Sequence, residues 1–561
     1  MMTVGRYLAT RLKQLGAGHV FGLPGDFNLN LLDEILAADG LTWTGSANEL
    51  NAAYSADGYA RAGRRVGALV TTYGVGELSA INGTAGSFAE HVPVAHIVGM
   101  PPRAALLSGA RVHHSLLDGD HYHFVRMFDE VTAAQVVLGE DPASAIDDIL
   151  STMLTKSRPV YIGVPLDVAQ ALVSSDRLHT KITPAASDPA AVAAFESALR
   201  ARLDDVPGVV LLVGHGVHRR GLEPDIETLA GFPGVRIATQ AGAKAILDEG
   251  HPASLGTYFG AETLTASTRR LVDEAALLVM VGTAVSDFMT GFFTHGYTPE
   301  NAVELALDHA RIGHAVYPGV RLADSLASLR LAMAETKFTP VSGVKPDERD
   351  RPTGRRPQSA PLDQQTLWQE LQEWLEPDTI VIAEAGTAFY GALDLTLPER
   401  SDLLGQPVWS SIGYTIPATL GAALARPDRR PVLLVGDGAA QLTVQEFGRL
   451  FGQDNKPVVF LLDNDGYTVE RKIQSPDASY QDIVRWDWSL VPRALGAAGA
   501  QVHDVRTVGE LRASLRKARD RTAGHFVRLR LNRHDAPRLL LALAAGITGA
   551  NREARPGSPR H

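Results

Sequence analysis

GDGAAQLTVQEFGRLFGQDNKPVVFLLDNDGYTVE, residues Gly436 to Glu470, decides the fold. It follows an apolar run, Pro431–Val435, opens on Gly436-Asp437-Gly438 and passes through a helical stretch. It then returns on a second apolar run, Val458–Leu462, that closes in Asp463-Asn464-Asp465-Gly466. As neighbouring strands of a parallel sheet, the two runs carry Asp437 and Asn464 to one edge, where open α/β sheets bind ligands. One carboxylate, one amide oxygen and nearby carbonyls make a sparse set of hard oxygen donors. Mg²⁺ suits such a set because it shares its shell with water and substrate phosphates. The glycines let backbone N–H groups approach a phosphate at the start of the following helix. GDG alone is a common strand-to-turn sequence, so the reading rests on the second strand and its terminal Asn.

Working outward, short Val/Ile/Leu runs recur at Gly67–Val70, Pro93–Val98, Pro159–Val164, Val209–Val213, Leu277–Val281 and Ile380–Ala383. They are continuous rather than alternating and are separated by stretches that read as helical. That pattern predicts an α/β fold of doubly wound, mainly parallel sheets covered on both faces. A polar segment at Ser174–Asp188 and a Pro/Arg/Asp/Gly-rich one at Lys337–Leu362 read as linkers. They divide the chain into domains near 1–175, 188–338 and 360–561. The tail after Gly549 is basic, contains Pro and reads as disordered.

The chain has 561 residues, too many for one core. Its 45% hydrophobic and 21% charged residues are ordinary for a globular protein. With 53 basic against 63 acidic residues the formal charge is −10, which offers no footprint for nucleic acid or an anionic membrane. The absence of cysteine excludes disulfides, thiolate metal sites and a Cys nucleophile. The first residues, MMTVGRYLATRLKQLG, carry no signal-peptide core, and no apolar run approaches the roughly 20 residues that span a bilayer. A cytoplasmic enzyme without membrane or nucleic-acid partners is the expectation.

The first domain carries GLPGDFNLNLLDEI, Gly22–Ile35, with Asp26 in a glycine-proline turn before a helix. It also carries SANELNAAYSADGYAR, Ser46–Arg61, with Glu49 at the start of an Ala-rich helix. On position alone both carboxylates read as helix-capping charges worth under about 1 kcal/mol. Gly74-x-Gly76 follows a strand, but the third glycine and the ribose-binding acid of a dinucleotide fingerprint are missing, so it reads as a close backbone turn. His113, His114, His121 and His123 cluster in HHSLLDGDHYH. Such a group could hold zinc. Without HxxxH or HExxH spacing, and because adjacent histidines seldom face one ion, acid–base work or core hydrogen bonding is the favoured reading.

At this point the motifs carry a resemblance. GLPGDFNL, SANELNAAYSADGYAR, the His113-His114 pair, AEAGTAFYGA, GQPVWSSIGYTIPA, GDGAAQLTVQE and DNDGYTVER resemble, in order and spacing, the thiamin diphosphate (ThDP)-dependent 2-keto acid decarboxylases. These are the pyruvate, indolepyruvate, phenylpyruvate and branched-chain keto acid decarboxylases, and the likeness covers nearly the whole chain. It implies that Glu49 activates the cofactor through the pyrimidine N1′, that Ile412 wedges it in a bent shape and that the Ser410 backbone contacts its amino group. It implies Asp437, Asn464 and the Gly466 carbonyl as Mg²⁺ ligands. Gly438, Ala439 and Ala440 would meet the diphosphate, with Thr387, Ser411 and Tyr467 also at the cofactor. Asp26, His113, His114 and Glu470 match the family's acid–base residues. The family's cofactor sits between subunits, which implies a homodimer at minimum and a homotetramer by habit.

The likeness also implies a substrate pocket of Phe288, Phe389, Tyr390 and Val469, with Leu543 and Ile547 equally readable as core. Such a lining accepts a hydrophobic 2-keto acid and rejects dicarboxylates. Phe288 with Phe389 leaves less room than an indole needs, and Ala385 departs from the Gln or Thr usual there. Two competing functions are a carboligase such as acetolactate synthase, opposed by the paired histidines, and a non-catalytic nucleotide-binding protein, opposed by Glu49, Asp437 and Asn464.

Overall fold

The computed structural model describes residues 1–204, 206–336, 338 and 354–553. Most of the predicted second linker therefore lies outside the described residues. So does the tail past Glu553, while the helix Arg538–Glu553 continues through Gly549. The chain forms two compact units, one of Met1–Ala186 with Tyr414–Pro427, the other of Ser187–Gly413 with the chain from Asp428 on.

The first unit holds a six-stranded parallel sheet in the order Thr42–Gly45, His19–Gly22, Gly67–Thr72, Val94–Met100, Val160–Pro165, Gln135–Val137. Gly67–Thr72 and Val94–Met100 are buried along their whole length, as continuous apolar strands between helical layers must be. The helix Glu49–Gly63 packs on the helix Thr415–Ala425 at backbone distance. A Cβ on Gly58 would stand 2.3 Å from the Ala418 carbonyl, and one on Gly421 2.0 Å from that of Ser55, so only glycine permits this approach. The crossing encloses a charged group that is fully paired. Arg61 meets Asp57 at 2.6 Å and Glu90 at 3.3 Å, and Asp57 also accepts from Tyr414 and Ser87.

The second unit contains two sheets. The middle one runs Ser254–Thr257, Val235–Thr239, Val209–Val213, Leu278–Val281, Ala302–Leu305, His309–Ile312, Ala315–Pro318, with the last two strands antiparallel. The other is wholly parallel, in the order Asp402–Leu404, Thr379–Ala383, Arg430–Gly436, Val458–Asp463, His525–Arg530, Gln501–Val505. Arg430–Gly436 and Val458–Asp463 are neighbours in register, Gly436 opposite Leu462. Their carboxyl ends therefore deliver Asp437 and Asn464 side by side. Among the described residues no helix is long and apolar enough to cross a membrane.

Candidate active site

Asp437 begins the short helix Asp437–Thr443 and is buried. Its carboxylate accepts from the N–H of Gly438 at 2.8 Å and of Gly466 at 3.2 Å. Burial first, and then the charge of Asp463, push its carboxyl up to about 7. The Asn464 side-chain amide lies beside it. One terminal atom is 3.2 Å from Asp437 Oδ1 and 3.0 Å from the Gly466 carbonyl oxygen, and the other is 3.0 Å from Thr468 Oγ1. With no cation, the amide NH₂ satisfies those two acceptors. A half-turn of the amide presents its oxygen instead, and three oxygens then converge in a way that only a cation stabilises. The donor set is all hard oxygen, and it fits Mg²⁺.

The loop after Asn464 is held by conformations that favour glycine. Gly466 has φ 123°, and a Cβ there would stand 2.2 Å from the Gln481 carbonyl. That carbonyl accepts the Tyr467 N–H at 3.1 Å and the Arg471 guanidinium at 2.8 Å. Gly438 packs against the Tyr467 ring, where a Cβ would be 2.7 Å from a ring carbon.

These groups line a cavity of about 310 Å³, within the range of cofactor and small-molecule sites. Thr387, Ser410, Ile412, Asp437, Gly438, Ala439, Asn464, Gly466, Tyr467 and Glu470 all border it, whereas Ser411 and Ala440 do not. Phe288, Phe389, Tyr390 and Val469 complete the wall, with Phe288 6.1 Å from the Phe389 ring and 5.6 Å from the Tyr390 ring. Burial, with Glu470 and Asp287 nearby, raises the Tyr390 hydroxyl well above its usual value. Leu543 is instead buried in the hydrophobic core and Ile547 is half-buried, and neither borders the cavity.

Gln406 lines the same cavity and was absent from the sequence reading. Its backbone carbonyl accepts from the N–H and hydroxyl of Ser410, and its side-chain oxygen accepts from the N–H of Ser411 at 3.0 Å. The clamp holds Ser410 at φ 52°, a left-handed conformation that a serine adopts at a cost. Its spacing, four residues before Ser410 inside GQPVWSSIG, was the available signal.

In the first unit, Asn48 caps the helix Glu49–Gly63 by accepting from Asn51 N–H at 2.8 Å, which places Glu49 in the first turn. Burial raises the Glu49 carboxyl above the ordinary range. Asp26, His113 and His114 converge, with His113 Nε2 2.7 Å from Asp26 Oδ2 and His114 Nε2 3.9 Å from Oδ1. Adjacent histidines seldom face one ion, yet here both rings approach the same carboxylate. His114 has φ 63°, and this left-handed step brings both rings to one side, 4.5 Å apart. Phe27 stacks on His113 at 4.9 Å. His121 is buried near Tyr73, and His123 pairs with Asp118 at 2.6 Å, so the four-histidine run divides.

The Gly74-Val75-Gly76 turn underlies both groups, a role the sequence did not disclose. A Cβ on Gly74 would lie 2.1 Å from the His114 carbonyl, and one on Gly76 3.1 Å from Glu49 Oε1. Buried Glu77 fixes the turn by accepting from Gly74 N–H at 2.7 Å and from the Tyr161 hydroxyl at 2.9 Å.

Mainly parallel α/β sheets, a glycine-framed oxygen cluster and an acid at a helix start accord with the thiamin diphosphate enzymes, and three family matches show that class. Residues 2–124 match the N-terminal TPP binding domain of thiamine pyrophosphate enzymes, 197–330 the central domain and 388–529 the C-terminal TPP binding domain. The alpha-keto-acid decarboxylase of Mycolicibacterium paratuberculosis is 41% identical over 545 residues, spanning 96% of each chain. That of Mycobacterium leprae is 40% identical over 557 residues, 98% of this chain and 96% of its own. That of Mycobacterium tuberculosis H37Rv is 40% identical over 551 residues, 97% of each. The chain belongs to the thiamin diphosphate-dependent 2-keto acid decarboxylases and is a carboxy-lyase.

Proposed function

We propose that the enzyme decarboxylates an uncharged, hydrophobic 2-keto acid without oxidation, releasing CO₂ and the aldehyde, with Mg²⁺ anchoring the cofactor. The observation that carries this reading is the convergence of Asp437, Asn464 and the Gly466 carbonyl in the wall of a cavity otherwise bordered by aromatic and aliphatic side chains. Bound ThDP supplies the electron sink that allows the bond to the carboxylate to break.

The chain's own residues do the rest. Asp437, Asn464 and Gly466 would hold the ion, and the amides of Gly438 and Ala439 would receive the diphosphate, with Thr387 and Tyr467 flanking it. Ser411 and Ala440, which do not border the cavity, have no direct part. Ser410, in its clamped conformation, would offer backbone to the pyrimidine amino group, and Ile412 would supply an apolar support for the cofactor. Glu49, raised by burial, shares a proton with the pyrimidine N1′. Asp26, His113, His114 and Glu470 move protons at the reacting carbon and oxygen, each worth about 10²–10⁴-fold.

No Lys, Arg or His is among the described residues that border the cavity, so a second carboxylate on the substrate side chain would lie against Phe288, Phe389, Tyr390 and Val469 with no basic side chain of that wall to pair it. This supports the exclusion of dicarboxylates. Phe288, Phe389, Tyr390 and Val469 favour branched-chain, aliphatic or aryl side chains. Glu49 lies in one unit and the oxygen cluster in the other. In this reading, one cofactor draws on both groups from different copies, a homodimer at minimum, and each sheet with its helices forms a domain.

The test is a coupled aldehyde assay over a panel of 2-keto acids with ThDP and Mg²⁺ supplied. The expected result is aldehyde from 2-ketoisovalerate, 2-ketoisocaproate or phenylpyruvate and none from 2-ketoglutarate. Acetolactate as the main product from pyruvate would replace this reading with the carboligase.

A further inference from the structure

We propose that Asp26, His113 and His114 form a transition-metal site, of the kind that takes Zn²⁺ or Cu²⁺, and that its occupancy inhibits decarboxylation. The inhibition half rests on the acid–base role proposed above; the binding half does not. The carboxylate and imidazole donor atoms of the three residues all lie within 4.8 Å of one another. An ion about 2.0–2.2 Å from each donor requires separations of roughly 3–4 Å, so small side-chain rotations complete the set.

The donors are already aimed. Phe27 stacks on the His113 ring with an interplanar angle of 18°. His114 is turned by its left-handed backbone, and its carbonyl is seated on Gly74. In the single chain they are also reachable, with side-chain exposures of 60% for His113, 50% for Asp26 and 32% for His114. In the dimer proposed above, their acid–base role requires that they face the opening through which substrate would enter. Two imidazoles and a carboxylate select borderline ions, whereas the oxygens of Asp437, Asn464 and Gly466 select Mg²⁺. Saturating the enzyme with Mg²⁺ therefore leaves the nitrogen site open. The neighbouring His123 group does not qualify, because Arg126 bonds Asp120 at 2.6 Å and His123 Nδ1 at 3.0 Å and supplies the positive charge itself.

An ion at this site takes the Nε2 lone pairs and a carboxylate oxygen, the atoms that would otherwise accept and return protons. No electron transfer is involved. The experiment uses untagged holoenzyme loaded with ThDP and Mg²⁺, titrated with Cu²⁺ and read by electron paramagnetic resonance, with Zn²⁺ inhibition measured in parallel. We expect one copper per chain with splitting from two equatorial nitrogens. His113→Gln and His114→Gln should each remove one nitrogen and about ten-fold or more of the affinity, as losses around metal sites commonly do. Thermal unfolding of both variants checks that they are folded. Copper without nitrogen splitting, or splitting unchanged in both variants, would overturn the site and leave the acid–base reading untouched. Zinc bound there with turnover intact would overturn the inhibition and that acid–base reading, while the binding site stood.

Discussion

Gly74→Ala tests the link between backbone geometry and chemistry. The added methyl carbon would lie 2.1 Å from the His114 carbonyl oxygen, against the 3.0 Å below which real contacts of this kind are essentially never seen. About 1 Å of movement is therefore required, and the obstacle is a peptide group rather than a flexible side-chain end. The turn yields poorly, because Gly74 N–H is tied to buried Glu77 and breaking that bond costs about 1–3 kcal/mol. Gly74 also sits at φ 67° and ψ −94°, where a side chain adds about 1–3 kcal/mol of strain. The displacement thus falls on His114 and, through it, on the pair facing Asp26. A misplacement of about 1 Å at a reacting group costs on the order of 10²-fold in rate. We expect kcat in the aldehyde assay to fall by that factor, with denaturant unfolding showing a folded but weakened protein. Gly76→Ala meets the ends of the Glu49 and Thr72 side chains, each 3.1 Å away, and no backbone at that distance, and should cost less. A folded Gly74→Ala enzyme with kcat within three-fold of wild type would refute the argument that this turn positions His114.

Four further outcomes are expected. Glu49→Gln should nearly abolish turnover while ThDP stays bound by equilibrium dialysis, because the amide keeps the shape but not the proton; activity within a few-fold of wild type would contradict the role given to Glu49. Asp437→Ala, or chelation of Mg²⁺, should release ThDP, and unchanged cofactor affinity in the variant would remove Asp437 from the ion site. Phe288→Ala should shift kcat/KM toward phenylpyruvate or indolepyruvate over 2-ketoisovalerate by about ten-fold, since steric discrimination of this kind is worth about 1–3 kcal/mol; an unmoved ratio would mean that the ring does not bound the substrate. Glu77 supplies a pH signature: its carboxyl ionises near 4.3 in an unfolded chain and is raised by burial to about 7 in the folded one. The folded state therefore holds the extra proton between those values, so this group's contribution is present in full below about pH 4 and lost by about pH 7, on the order of 3 kcal/mol. Glu77→Gln should flatten that slope relative to wild type in denaturant titrations at pH 5, 6 and 7.5, and parallel curves would show that Glu77 does not titrate in this range.

Local sequence carried the strand pair around Asp437 and Asn464 because its signals are short-range. Continuous apolar runs specify buried parallel strands, and glycines specify where a chain turns at a strand end. The acid at the start of an Ala-rich helix and the Gly74-x-Gly76 turn were equally visible, but their relation was not. That Gly76 lies against Glu49 and Gly74 under His114 depends on how three separate crossovers return to one sheet edge. The His113-His114 pair shows the same limit: two adjacent rings face one carboxylate only because His114 takes φ 63°, a choice imposed by the packing of its carbonyl. Leu543 and Ile547 show it from the other side, since an apolar helix face reads alike whether it borders a cavity or fills a core. The helix Thr415–Ala425 belongs by sequence to the last third of the chain, yet it joins the first unit, where Gly421 and Gly58 admit the backbones to contact. Sequence alone determined which residue types stood at which strand ends, because that information is local; tertiary structure decided which of them meet, because contact is set by long-range packing that no single segment encodes.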